Sequence, residues 1–211
     1  MFLINLANIH RVDSQNFSKS ITEAIEIFKR GGIVSHPTDT VWGLACDASN
    51  KKAVRKIHLL KKSDPSKPLL LNLPSKSYLD KIGSKLCRAH LLVKEFWPGS
   101  LSLIVRSKSK CEFSQTQKIG VRFPDHEISN LLARKFGKPL ITTSANFAGE
   151  KVAKNAKEVM KIFPKIDLIL DDLSSSKNNP STLVDVSEKE IQLIREGTLS
   201  FKQVLRTLDP L

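Results

Sequence analysis

The chain of 211 residues is 40% hydrophobic and 26% charged, an ordinary composition for a soluble globular protein with one sizeable core. No apolar run approaches the roughly 18 residues of a membrane span. The N-terminus lacks the basic region and long apolar stretch of a secretion signal, so we expect a cytoplasmic protein. Lys and Arg number 34 against 21 Asp and Glu. The net charge of +13 favours polyanionic partners such as nucleic acid, nucleotides or acidic lipid, although selection for solubility would explain part of it.

Apolar runs bounded by Gly, Pro and polar residues predict strands along the whole chain. In chain order, these strands lie at 2–6, 33–36, 68–73, 101–107, 119–123, 139–144, 166–170, 182–186 and 191–196. Apolar residues spaced three and four positions apart predict helices between the strands. Their apolar faces lie, in chain order, at 21–28, 54–60, 86–93, 128–136, 159–163 and 200–208.

Residues with special backbone preferences mark the ends of several of these helices. Gly31 and Gly32 end the first helix in the manner of a C-cap, and Gly137 closes the fourth. Asn50 is placed to cap the N-terminus of the second helix. The polar stretch 171–181 is a loop, and its sequence leaves open whether it acts as a lid.

The strands at 182–186 and 191–196 are typical of a hairpin, which argues against a purely parallel sheet. We therefore predict an α/β fold, a twisted mixed sheet of parallel and antiparallel strands with helices on its faces. No linker, repeat or low-complexity tract interrupts the chain, so residues 1–211 are expected to form a single domain. In such folds ligands bind where loops converge at the strand ends.

Familiar catalytic and metal-binding motifs are absent. The cysteines Cys46, Cys87 and Cys111 fit neither a disulfide framework nor a CxxC site, and the five histidines show no HExxH spacing. We expect no metal ligands from protein side chains. The sequence also lacks GxxxxGK[ST], GxGxxG and GxSxG. An enzyme of this sequence would work by positioning and electrostatics rather than through a covalent nucleophile.

Polar clusters follow successive predicted strands and helices. They lie at 36–44, 60–69, 120–124, 142–146 and 179–186. Each has a structural explanation: a capped turn, a solvated helix end or a surface arginine. Their recurrence at strand ends, with basic and hydroxyl groups that suit an anion, favours a binding site.

The sequence blocks at these positions resemble those of one family. "HPTDTVWGLACDA", "LKKSDPSKPL", "FWPGSLSLIV", "GVRFP", "TTSANFAGE", "PSTLVDV" and "LIREG" follow one another in the order found in the YrdC/TsaC family. The resemblance runs from about Phe17 to Gly197, nearly the whole chain, and is closest to the short, single-domain form. It implies a YrdC-like fold and synthesis of L-threonylcarbamoyl-AMP from L-threonine, bicarbonate and ATP, the first step of t6A formation in tRNA.

The resemblance also implies roles for individual residues. Arg122 suits the carboxylate of threonine because a guanidinium binds a carboxylate through two parallel hydrogen bonds. The implied threonine site is Thr38, Arg122, Ser144 and Ser181. The implied ATP site is Lys61, Ser63, Lys67, Ser102, Asn146 and Arg195, with Mg²⁺ bound to the nucleotide. Lys61 and Arg195 are the implied catalytic cations, and Asn72 stands where some relatives have a histidine.

One position departs from the family pattern. The family signature has an arginine two residues after the lysine that matches Lys61, and this chain has Ser63 there. If the triphosphate binds here, Lys62, Lys67 or Arg195 must supply the missing charge. Chains without the full signature form a subgroup of the family.

Two other functions fit parts of the sequence. A double-stranded RNA or tRNA-binding module of the same fold would use the basic surface without synthase activity, and its binding would fall steeply with salt. Carbamoyl-adenylate chemistry on another substrate, as in the related domain of hydrogenase maturation proteins, would need an acylphosphatase or zinc-finger region that is absent from this sequence. For a synthase, the expected macromolecular partner is tRNA or the downstream t6A transferase complex.

Overall fold

The computed structural model describes residues 8–108, 113, 116–173 and 179–208. The predicted strand at 2–6, Cys111 and part of the loop at 171–181 lie outside these residues. The helices are α1 Phe17–Lys29, α2 Lys51–Lys61, α3 Leu79–Ile82, α4 Cys87–Phe96, α5 Glu127–Phe136, α6 Ala156–Ile162 and α7 Phe201–Leu208. The strands are β1 Asn8–Arg11, β2 Val34–His36, β3 Gly43–Asp47, β4 Leu70–Asn72, β5 Gly83–Ser84, β6 Leu101–Ser107, β7 Lys118–Arg122, β8 Leu140–Ser144, β9 Leu168–Asp171, β10 Thr182–Asp185 and β11 Gln192–Arg195.

The strands form one mixed sheet in the order β1-β9-β2-β3-β8-β4-β7-β6-β10-β11, with β5 paired to β6. The pairs β1/β9, β2/β9, β4/β7 and β6/β10 are parallel, whereas β3/β8, β4/β8 and β6/β7 are antiparallel. The antiparallel pair β10/β11 confirms the predicted hairpin. The predicted fold class, a mixed sheet with helices on its faces, is confirmed.

Side chains that alternate along the strands divide the core into two parts. Leu44 and Cys46 of β3 face a larger core, which also contains buried residues of α2, α4 and α6. Ala45, between them, faces a smaller core built against α1 and α5. Because successive side chains of a strand point to opposite faces, the two cores lie on opposite sides of the sheet.

Strand β3 was not predicted. Its sequence, Gly-Leu-Ala-Cys-Asp, lacks the β-branched and aromatic residues that mark strands. The strand forms because it is buried between β2 and β8 and pairs with β8 over its full length. Strand β1, Asn-Ile-His-Arg, was also missed, because a single β-branched residue among polar ones gives little local signal, and it pairs in parallel with β9.

Both ends of α2 are closed by local hydrogen bonds. Asn50 caps the helix as predicted, since its side-chain oxygen accepts from the amides of Lys52 and Ala53 at 3.1 Å each. At the other end Lys62 adopts a left-handed conformation with φ of 51°, and the Ser63 amide donates to the His58 carbonyl at 3.0 Å. This closes the helix as a glycine would.

Within the described part of the chain, no helix combines the length and the apolar character that crossing a membrane requires.

Candidate active site

A cavity of about 650 Å³ lies over one face of the sheet, where alternate residues of β7 (Lys118, Gly120 and Arg122) line it. Its walls come from β4, β6, β7, β8, β10 and β11 and from the loops that follow β2 and precede β4. The predicted site residues that line it are Thr38, Lys67, Arg122, Ser144, Asn146, Ser181 and Arg195. The predicted residues Lys61, Ser63, Asn72 and Ser102 are not among the described residues of its wall.

Two guanidinium groups give the cavity its positive character. Arg122 is only 6% exposed, and burial lowers its pKa, as does the nearby charge of Arg195, while Asp39 acts in the opposite direction. Arg195 is on the exposed edge strand β11, and partial burial of its guanidinium lowers its pKa as well. Two neighbouring cations, of which Arg122 is buried, favour an anionic ligand between them.

Arg122 is fixed by contacts to three separate groups. Its Nη2 donates to the Asp39 carboxylate at 2.6 Å and its Nη1 to the Thr40 hydroxyl at 2.8 Å. Its Nε donates to the Gly99 carbonyl at 3.3 Å. The guanidinium therefore has a defined orientation before any ligand binds.

Ser181 is the centre of a second polar group. Its hydroxyl oxygen lies 2.8 Å from that of buried Ser102. The Nη2 of Arg195 donates to the Ser181 hydroxyl at 3.2 Å and to its carbonyl at 2.9 Å. Ser102 thus reaches the cavity only through Ser181, which it helps to orient.

Lys61 lies behind the cavity wall. Its ammonium group donates to the carbonyl of Ser144, to the carbonyl of Asn146 at 2.9 Å and to the side-chain oxygen of Asn146 at 3.2 Å. The Ser144 hydroxyl donates to the same Asn146 oxygen at 2.6 Å. Burial lowers the pKa of Lys61 from its ordinary 10.5 to about 8. All three donors of the ammonium group thus hold the turn at 144–146.

The side chains of three other predicted residues hydrogen-bond to neighbouring protein groups. The Ser63 hydroxyl lies 3.0 Å from Nδ1 of His58, and Asn72 donates to the carbonyl of Ser129 at 2.9 Å. The Thr38 hydroxyl donates to the Val41 carbonyl at 2.7 Å and accepts from the amides of Thr40 and Val41. Thr38 lines the cavity, but its single hydroxyl proton is used inside its own loop.

Four residues of this region were not singled out from the sequence. Asp39 and Thr40 fix Arg122. Lys118 and Asp185 line the cavity and form an ion pair, with Nζ and Oδ2 3.0 Å apart. Asp39 belongs to the "HPTDT" block, where it has the sequence context of a turn residue. No local pattern connects Asp39 with Arg122, because 83 residues separate them.

Gly197 closes the loop after β11 onto the segment that carries Ser181. A Cβ at this position would meet the carbonyl oxygen of Pro180 and lie 2.7 Å from the Ser181 carbonyl carbon. The Gly197 amide also donates to the Thr182 hydroxyl at 2.9 Å. Only glycine permits this approach of two backbone segments.

Replacing Gly197 by Ala is therefore expected to displace Ser181 and, with it, the anchor of Arg195. Overpacking against backbone should lower the free energy of unfolding by about 1–3 kcal/mol. The nucleotide binding that the family resemblance implies should weaken as well. Urea unfolding and ATP titration measure the two effects, and Gly43→Ala is the matched control because its Cβ would find ordinary contacts at 3.6 Å or more. Equal behaviour of the two variants would contradict the packing argument.

The sequence and the fold place the chain in a known family. Residues 26–197 match the family model Sua5_yciO_yrdC, described as "Telomere recombination", so the chain belongs to the Sua5/YciO/YrdC family, which confirms the resemblance inferred from its motifs. It is 31% identical over 182 residues to a threonylcarbamoyl-AMP synthase of Chromohalobacter salexigens, covering 83% of this chain and 97% of the relative. A threonylcarbamoyl-AMP synthase of Psychromonas ingrahamii is 32% identical over 176 residues, covering 79% and 92%.

Among solved structures, Pyrococcus abyssi Sua5 complexed with L-threonine superposes with a TM-score of 0.83 at 26% identity. The alignment covers 96% of this chain and 60% of that one, so the present chain spans less than two thirds of the length of that Sua5 protein.

Proposed function

We propose that this protein is an L-threonylcarbamoyladenylate synthase, a nucleotidyltransferase that forms threonylcarbamoyl-AMP and pyrophosphate from L-threonine, bicarbonate and ATP. The observation that carries the proposal is the cavity with two neighbouring guanidinium groups, one buried and fixed, beside a set of small hydroxyl and amide side chains. The names of the relatives and the threonine complex of Sua5 support it. We further propose that the described chain acts as a single domain.

The proposed chemistry proceeds in two bond-forming steps. The amine of threonine attacks bicarbonate, and loss of water gives an N-carboxy amino acid. One oxygen of the new carboxylate then attacks the α-phosphorus of ATP, and the bond to pyrophosphate breaks. No protein nucleophile is required, so the protein contributes orientation and charge stabilisation.

The residues of the cavity divide between the two substrates in this proposal. Arg122 binds the carboxylate of threonine, and Ser144 or Ser181 accepts a hydrogen bond from its hydroxyl. Lys67 and Arg195 neutralise the triphosphate, because this chain has Ser63 at the position of the family arginine. Lys61 acts on the reaction through the turn at 144–146, whose Asn146 side chain lines the cavity.

Mg²⁺ is proposed to enter with ATP and, when bound, to neutralise phosphate charge as pyrophosphate leaves. The described cavity lining offers no free carboxylate for Mg²⁺, which fits a metal that is carried by the nucleotide. Asp185 is the carboxylate among the described lining residues, and its two oxygens are occupied by Ser187 and Lys118. The described residues contain no group of three His, Cys, Asp or Glu side chains that could hold a metal ion.

An exposed basic surface favours tRNA as a further partner. It comprises α2, with Lys51, Lys52 and Arg55, and the segment 151–165, whose five lysines are all exposed. Both segments pack on the larger core and so lie on the same side of the sheet. RNA binding without chemistry is the alternative function, and it predicts affinity that falls steeply with salt and is insensitive to Arg122→Ala. The cytoplasm, which supplies tRNA, ATP and bicarbonate, is the proposed compartment.

Release of pyrophosphate tests the proposed activity. Purified protein with Mg²⁺ should release pyrophosphate only when ATP, L-threonine and bicarbonate are all present, and omission of any one should reduce the signal to background. Pyrophosphate release without threonine, or none with all three substrates, would reject the synthase.

Amino-acid selectivity provides an independent prediction. L-Valine replaces the hydroxyl of threonine by a methyl group and would leave a buried polar group of the site without its partner, so we expect its kcat/KM to be lower by roughly 100-fold or more. L-Serine lacks only a methyl contact and should lose about tenfold. Competition assays with the three amino acids measure both ratios. Turnover of valine at the rate of threonine would remove the assignment of threonine as substrate.

A further inference from the structure

Arg122 has two sides with different neighbours. Its guanidinium lines the cavity together with Thr38 and Val41, whereas Asp39 and Thr40 are not among the described lining residues. Thr40 is fully buried, and the side chain of Asp39 is only 12% exposed. The carboxylate and the hydroxyl that hold the guanidinium therefore belong to residues outside the described cavity lining.

The loop that carries Asp39 and Thr40 has little freedom to move. The Thr38 hydroxyl has four hydrogen-bond contacts within the loop, to groups of Thr40 and Val41, all of 3.2 Å or less. The loop is held at one end by β2 and at the other by β3, and both strands are central in the sheet. Asp39 thus lies in a loop that is held by its own hydrogen bonds and by two paired strands, independently of the contact with Arg122.

The hydrogen bonds on Arg122 leave part of the guanidinium available. Asp39 accepts through one oxygen from Nη2, and Thr40 accepts from Nη1. Each terminal nitrogen carries two N–H groups, so each keeps one after these contacts. Two N–H groups on adjacent nitrogens are what a second carboxylate needs for a bidentate contact.

We propose that Asp39 is a positioning residue, which with Thr40 fixes the guanidinium of Arg122 so that its two remaining N–H groups face the carboxylate of the substrate. The identity of that substrate as L-threonine rests on the proposed function, but the fixed guanidinium does not. Asp39 also compensates the charge of Arg122, which lies close to the second cation Arg195. The opposite role, a carboxylate that competes with the ligand for Arg122, would require Asp39 on the cavity side.

Ligand binding by variants of Asp39 distinguishes these roles. Asp39→Ala should weaken L-threonine binding about tenfold to hundredfold in calorimetry, since charge-assisted hydrogen bonds are lost, and should leave ATP binding unchanged. Asp39→Asn keeps an acceptor oxygen at the same place and should recover part of the loss, because the hydrogen bond is restored but its charge is not. Glu26→Ala is the matched control, because it removes an exposed carboxylate paired with Lys29 away from the cavity. Tighter threonine binding by Asp39→Ala would identify a competitor and overturn the proposal, as would equal weakening for threonine and ATP.

A measurement on the free protein tests the positioning role of Asp39 separately from the proposed synthase function. A fixed guanidinium should give slowly exchanging side-chain N–H resonances in NMR spectra, assigned to Arg122 by their loss in Arg122→Lys. These resonances should broaden or vanish in Asp39→Ala and persist in Asp39→Asn and Glu26→Ala. If they persist in Asp39→Ala, the positioning role is wrong whatever the substrate. If the wild-type protein shows these resonances but no threonine binding, the proposed function fails while the positioning role stands.

Discussion

Replacing Arg122 by Ala is expected to raise the apparent KM for L-threonine by one to two decades and to leave that for ATP nearly unchanged. A charge-assisted bidentate contact contributes about 1.5–3 kcal/mol, which corresponds to roughly 10-fold to 100-fold in affinity. Lysine at this position should restore little, because a point charge cannot make two parallel hydrogen bonds. Initial rates with each substrate varied in turn measure the selectivity of the effect.

The same substitution leaves Asp39 as a buried carboxylate without its partner, which would lower stability by itself. The double variant Asp39→Ala/Arg122→Ala removes both charges and controls for this effect. It should be more stable than Arg122→Ala alone but no better at binding threonine. Recovery of threonine binding in the double variant would show that Arg122 matters only for folding.

Replacing Lys61 by Met is expected to abolish most adenylate formation, although Lys61 is not one of the described residues that line the cavity. Methionine fills a similar volume but leaves the Asn146 carbonyl without its donor. The Ser144 carbonyl and the Asn146 side-chain oxygen each lose one donor and keep another, the Asn146 amide and the Ser144 hydroxyl respectively. Each unsatisfied buried polar group costs about 1–3 kcal/mol, and the turn should reorganise to avoid it. ATP binding should fall at least tenfold. An unchanged ATP affinity would contradict a role for this turn in nucleotide binding.

The lowered pKa of Lys61 gives opposite pH dependences for stability and for binding. Its folded-state pKa of about 8 lies below the ordinary 10.5, so between these values the unfolded chain binds more protons and stability should rise with pH. Over the same interval the neutral amine has two N–H donors for three acceptors, and ATP affinity should fall. Calorimetry and urea unfolding between about pH 7 and about pH 9 measure both trends. At higher pH the buried Cys46 thiol, whose pKa burial raises from 9.0 to about 12, makes stability fall with pH and would mask the effect of Lys61. Both trends should be absent in Lys61→Met, and a pH-independent ATP affinity in the wild type would contradict the mechanism.

Local patterns were sufficient for much of the fold but not for the contacts within the site. The strand predicted at 101–107 is observed as Leu101–Ser107, because its apolar and β-branched residues carry a strong signal. Strand β3 has small residues and is specified by its neighbours in the sheet, which a local pattern does not contain.

For the site, the sequence predicted which chemical groups gather at the strand ends but not the direction in which each side chain points. Lys61 donates to the turn at 144–146, Asn72 donates to Ser129, and the Ser63 hydroxyl contacts His58. None of the three is among the described residues that line the cavity. These orientations depend on contacts between residues far apart in the chain, with the exception of Ser63, whose partner lies five positions away. The roles assigned to Lys61, Ser63 and Asn72 from the family resemblance remain predictions.

Direct detection of the adenylate tests the proposed reaction most directly. Wild-type protein incubated with ATP, Mg²⁺, L-threonine and isotopically labelled bicarbonate should yield a product with the mass of threonylcarbamoyl-AMP that carries the label in its carbamoyl carbon. The product should decrease strongly in Arg122→Ala and remain at the wild-type level in Glu26→Ala. Absence of labelled product from the wild type, or equal amounts from wild type and Arg122→Ala, would contradict the proposed active site.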